Sequence, residues 1–154
     1  MDVAGVLSRG QHDWVDGLGL AAGGLVSLRY DGDADGLTRT RRVLEEVLGR
    51  WEIRSAFDDV ALVVTELVAN AIQHALADRG WLTVGMRGTG VICAVTDPST
   101  IPPVVRSPLP GEESGYGLRI VEQLSESWGH SLVADSGKAV WARIPVDVKC
   151  GNTR

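Results

Sequence analysis

Apolar positions along the 154-residue chain change period several times, and each change marks an element. Residues 1–24 are rich in Gly and Asp and show no clear period, which reads as a flexible leader with Trp14 and Leu18 as its candidate docking residues. Leu25–Tyr30 alternates roughly, as a short strand does. Asp31 to Asp35 is a turn cluster that offers N-caps for a helix from about Ala34 to Trp51. In that helix Leu37, Val43, Leu44, Val47 and Leu48 fall near one stripe, and Arg39, Arg41, Arg42, Glu45 and Glu46 make the polar faces. A second helix, from about Ala56 to Asp78, is apolar around most of its surface (Val60, Val63, Val64, Leu67, Val68, Ala71, Ile72, Ala75, Leu76) and is expected between other elements, with Gly80 as its stop.

Strands at 81–87 and 91–96 follow, joined by the turn signal Gly88-Thr89-Gly90. Prolines at 98, 102, 103, 108 and 110 exclude a helix or central strand from residues 97–114. A loop of that length inside a compact domain is usually functional, often a lid. Gly115 to about Trp128 reads as a third helix with Leu118, Ile120, Val121 and Leu124 as core positions, and a hairpin at 131–135 and 139–146 closes the chain. The order β-α-α-β-β-loop-α-β-β predicts an α+β two-layer sandwich: a mixed, largely antiparallel sheet with about three helices on one face. The expected organisation is a leader (1–24), one domain (25–148) and a short tail (149–154).

Composition narrows the function classes. Hydrophobic residues form 44% of the chain, enough for a core, and 15 basic against 20 acidic residues give a net charge of -5. That balance argues against direct nucleic-acid binding, which needs a basic footprint. Cys93 sits in an apolar run and Cys150 in a polar tail, with no disulfide or metal spacing, so a reducing cytoplasm is expected. No apolar run approaches a membrane span and no signal-peptide pattern is visible, so no membrane association is expected. His12 and His130 have no ligand partners at metal spacing and read as surface or turn residues.

The candidate chemistry lies in two motifs and a strand end. Glu66, Asn70 and His74 recur at i, i+4, which puts a carboxylate, an amide and an imidazole in one row on an otherwise apolar helix. An amide oxygen can ligate Mg²⁺, and a carboxylate can accept a proton or orient a nucleophile. The bland alternative is a solvated polar stripe. Gly115-Tyr116-Gly117-Leu118 opens a helix after the long loop, where glycines admit close backbone approach and N–H groups attract phosphate oxygens; a helix-initiating turn needs only one such glycine. Asp97 ends an apolar strand, where it could accept from an exocyclic amine or start an Asx turn before Pro98.

In this order and spacing, E-x-x-x-N-x-x-x-H, a strand ending in Asp, a lid and G-x-G-L resemble the GHKL (Bergerat-fold) ATPase superfamily over about residues 25–146. Gly137-Lys138-Ala139-Val140-Trp141, the short lid and the Arg41-Arg42 helix look like its stand-alone branch of anti-sigma-factor serine/threonine kinases. The resemblance implies ATP and Mg²⁺ as cofactors, Glu66 as catalytic carboxylate, Asn70 as Mg²⁺ ligand and His74 on the phosphate side of the lid. It implies that Asp97 reads the adenine amino group and that Gly115, Gly117 and Leu118 lie under the phosphates. It further implies a STAS-domain antagonist or a sigma factor as partner, met through Arg41 and Arg42 beside Arg39, and it is compatible with a homodimer. Two departures bear on activity. Asp97 is followed by Pro98-Ser99 rather than by glycines, and Ala139 stands where the family carries a threonine near the adenine. The competing expectation is therefore a catalytically weak nucleotide-binding module that sequesters its partner. A sensor histidine kinase is disfavoured, because no helix with a phospho-acceptor histidine precedes the domain.

Overall fold

The structure, a computed structural model, describes residues 24–75, 78–107, 109–112, 116–133 and 137–147. The leader up to residue 23, Leu76, Gly115 and the tail 149–154 with Cys150 lie outside the described residues.

The elements follow as β1 (Leu25–Asp31), α1 (Ala34–Arg50), a 3₁₀ turn (Arg54–Ala56), α2 (Phe57–Ala75), β2 (Arg79–Arg87), β3 (Gly90–Asp97), α3 (Gly117–Leu124), β4 (Ser127–Val133) and β5 (Gly137–Pro145). Asp33 caps α1, its Oδ1 accepting from the Gly36 N–H at 2.6 Å, a bond worth about 1 kcal/mol in such positions. Gly80 does not stop α2 but lies in β2 opposite Tyr30, where a β-carbon would strike the phenol. The Tyr30 hydroxyl crosses to donate to the Thr96 carbonyl at 3.1 Å.

The five strands lie in the order β1-β2-β3-β5-β4, and every ladder is antiparallel. The mixed character expected of the sheet is absent, even between β3 and β4. They run the same way through the α3 crossover but do not pair, because β5 slots between them. All three helices pack on one face: Leu44 and Leu48 of α1, Val60, Val63, Val64, Leu67 and Val68 of α2, and Leu118 and Val121 of α3 meet Val84, Cys93, Val95, Val140, Ala142 and Ile144 of the sheet. This is the expected α+β sandwich. Burial pushes the Cys93 thiol up to about 12, as befits an inert core residue.

The third helix is shorter than its sequence pattern suggests. It ends at Leu124, Ser125 is extended, and Trp128 lies in β4 opposite Ala142. The Glu126 N–H donates to the Arg143 carbonyl at 2.9 Å and its carboxylate pairs with the Arg143 guanidinium, so pairing with β5 claims residues that local periodicity assigns to the helix. His130 also lies in β4, exposed, and not in a turn. Among the described residues there is no cluster of three metal-ligating side chains and no helix long and apolar enough to cross a membrane.

Candidate functional site

The most polar surface of α2 forms one wall of a cleft. Ala61, Val64, Val68 and Ala71 are buried, while Glu66 and Asn70 are half-buried and His74 is exposed, one turn apart each. A compartment of about 290 Å³ is lined by this row with Gln73, by Val104 and Arg106 of the Pro-rich segment, and by Tyr116, Gly117 and Leu118 at the start of α3. A second compartment of about 350 Å³ shares Asn70, His74, Val104 and Arg106, and adds Ser99, Ile101, Pro102, Pro103 and Lys138. The i, i+4 row and the start of the third helix are thus brought together, although 47 positions separate Asn70 from Gly117.

Burial against α3 holds the Glu66 carboxyl above the ordinary glutamate value, which suits proton acceptance near neutral pH. Gly117 abuts this carboxylate and leaves it no space for a β-carbon. Tyr116, the N-cap of α3, makes no side-chain capping bond, and among the described residues no side chain caps the first N–H groups of this eight-residue helix, which can meet an acceptor in the cleft. Leu118 touches the cleft but is mostly a core residue. Arg106 was not singled out from the sequence, although it is the only basic residue between Asp97 and Ser114.

Asp97 stands at the end of β3, and its Oδ1 accepts from the Ser99 N–H at 2.8 Å and from Lys138 Nζ at 2.9 Å. The Asx turn is therefore present, and Oδ1 of the carboxylate that the resemblance assigns to adenine is engaged by the protein itself. The Ala139 expectation is corrected by strand alternation. Ala139 is buried with Ile92, Ala94 and Val133 on the sheet face away from the helices, and the residue beside Asp97 is Lys138. The hairpin expected at 131–135 and 139–146 leaves Lys138 in its turn, whereas it lies in β5. Its phase with Val140 and Ala142, two and four positions on, was the signal that it points toward the helices.

The arginines of α1 occupy another region. Arg41 stacks on the Phe57 ring at 5.0 Å, Arg39 pairs with Asp31 at 3.4 Å, and Arg42 is exposed. Glu46 pairs with Arg50 at 2.5 Å, not with Arg42. Phe57 begins α2 nine residues before Glu66, roughly 13 Å along the axis at 1.5 Å per residue, so Arg41 lies away from the cleft and not near the nucleotide site that the resemblance implies.

A family model described as the histidine kinase-like ATPase domain matches residues 31–144. No curated protein sequence matches the chain. Among solved structures, the crystal structure of the RsbU and RsbW domains of Rv1364c from Mycobacterium tuberculosis is similar, with a TM-score of 0.58 at 19% identity over 79% of this chain. The alignment covers 32% of that longer chain, so the likeness is one of fold over about a third of its length.

Proposed function

The chain belongs to the histidine kinase-like ATPase domain family, and from that premise we propose that its cleft binds Mg-ATP and that it phosphorylates a serine or threonine of a STAS-domain regulatory partner. The observation that carries the proposal is the facing of the Glu66-Asn70-His74 row by Arg106 and the uncapped start of α3. This donor set fits a magnesium-bound triphosphate: a neutral amide oxygen and a carboxylate for a hard cation, and a guanidinium with backbone N–H groups for phosphate oxygens. Mg-ATP supplies a transferable phosphoryl group together with a cation that neutralises its charge. Asn70 offers the metal-ligating oxygen, and Gly117 allows the backbone to come close. Glu66 accepts the proton of the incoming hydroxyl or orients it, and its raised pKa suits the task. Arg41 and Arg42, on α1 away from the cleft, are proposed to meet the partner, whether the antagonist or a sigma factor.

The Asp97–Lys138 pair favours a second reading, in which nucleotide is held weakly and the protein acts by binding its partner without transfer. Incubation of γ-labelled ATP with the chain and the STAS-domain proteins encoded near it separates the two. Magnesium-dependent label on a partner serine or threonine, lost in Glu66→Gln, is the expected result. A partner that binds tightly and stays unlabelled would establish the second reading.

A further inference from the structure

Lysine is almost never fully buried unless it is paired. Lys138 stands directly opposite Asp97 in the β3–β5 ladder, and its side chain is 5% exposed against 1% for Asp97. Its Nζ donates to Asp97 Oδ1 at 2.9 Å and lies 3.3 Å from the Ser99 carbonyl. Glycine at 137, with φ of +93°, brings the start of β5 against the Asp97–Pro98 backbone and fixes where Lys138 begins. Lys138 also lines the second compartment, with Asn70, His74, Ser99 and Arg106. Among the described residues two of its three ammonium protons have partners, and the third is available to a ligand in the compartment.

We propose that Lys138 is the specificity-determining residue for the base, and that it admits 6-oxopurine as well as adenine nucleotides to this cleft. The inference rests on the nucleotide-binding reading above. A bare carboxylate accepts from the adenine amino group and repels the carbonyl oxygen that guanine carries at the same position. With the ammonium held in front of it, that repulsion is neutralised and the polar group offered to the base is a donor. Guanine O6 is an acceptor, and adenine presents ring nitrogens as acceptors, so both purines find a partner. The device is local, because Asp97 holds Lys138 in place and Lys138 makes the contact.

The test is calorimetric titration of the full chain with the magnesium complexes of ATP, GTP and ITP, on wild type, Lys138→Met and Lys138→Gln, each checked for folding by thermal melting. Wild type is expected to bind GTP and ITP within about tenfold of ATP, because one donor–acceptor bond is available to each. Removing the ammonium should uncover the carboxylate and weaken GTP and ITP relative to ATP by at least about tenfold. Lys138→Gln keeps a donor to Asp97 without the charge, so it should shift the ratio in the same direction by less, and it reads out the loss of charge if Lys138→Met does not fold. A wild-type preference for ATP well beyond tenfold, or a GTP-to-ATP ratio that neither variant alters, overturns the inference and leaves nucleotide binding intact. Binding of none of the three nucleotides to wild type overturns the underlying reading and the inference with it.

Discussion

Gly117, the first residue of α3, lies so close to Glu66 that a β-carbon on it would stand 2.6 Å from Glu66 Oε2. Because the obstacle is the far end of a flexible side chain, Gly117→Ala is expected to fold, with the carboxylate swinging aside. Its melting temperature should stay within a few degrees of wild type, while phosphotransfer falls by roughly 10²-fold, the scale on which a displaced catalytic group costs rate. Melting curves beside single-turnover assays check the split. A variant that melts normally and transfers normally would show that the Glu66 position does not matter.

The direction of the Glu66 shift makes a pH prediction. Burial raises its pKa, so the protonated form is favoured in the folded chain, and the stability this brings is lost as pH rises through the raised value. At neutral pH Glu66→Gln should therefore melt no lower than wild type. Transfer needs the ionised carboxylate, so the wild-type rate should fall as pH drops through that raised pKa. Glu66→Gln should bind nucleotide but transfer about 10²–10⁴-fold more slowly and lose this pH limb. A pH–rate profile of the two proteins decides it.

Arg106 borders both compartments and is itself exposed. If it meets phosphate oxygens, Arg106→Ala should weaken triphosphate binding by about tenfold, equivalent to about 1.4 kcal/mol. The difference from wild type should shrink in high salt, because exposed charges are screened. Titrations with ATP and with adenosine separate the effects, since adenosine affinity should not change.

On α1, Arg41→Ala removes a guanidinium that stacks on Phe57, and an exposed stack of this kind contributes about 0.5–1 kcal/mol. A small drop in melting temperature is therefore expected. Partner affinity should fall by on the order of 2 kcal/mol if Arg41 anchors the interface, and ATP affinity should not change. Pull-downs with Arg41→Ala and Arg42→Ala that match wild type would remove this face from the account.

The parts of the fold that were legible in the sequence are those set by local periodicity. The row of Glu66, Asn70 and His74 follows from the 3.6-residue turn of α2, and the hairpin at Gly88-Thr89-Gly90 from its turn residues. What was not legible depends on long-range ladders. Ser125 to Trp128 continue a helical pattern, yet they are drawn out by Arg143 of β5. Lys138 meets Asp97 across 41 positions: its phase with Val140 and Ala142 is in the sequence, but only the β3–β5 register sets it opposite Asp97. Arg106 carried no periodic signal, and its place in the cleft follows from the path of the Pro-rich segment.

The central claim is that this row of side chains holds a magnesium-bound nucleotide. Calorimetric titration of wild type and Asn70→Ala with ATP, with and without Mg²⁺, tests it most directly. Wild type should bind ATP more tightly when magnesium is present, and Asn70→Ala, which keeps its fold but lacks the amide oxygen, should lose that dependence. Unchanged Mg-ATP affinity in Asn70→Ala would contradict the account.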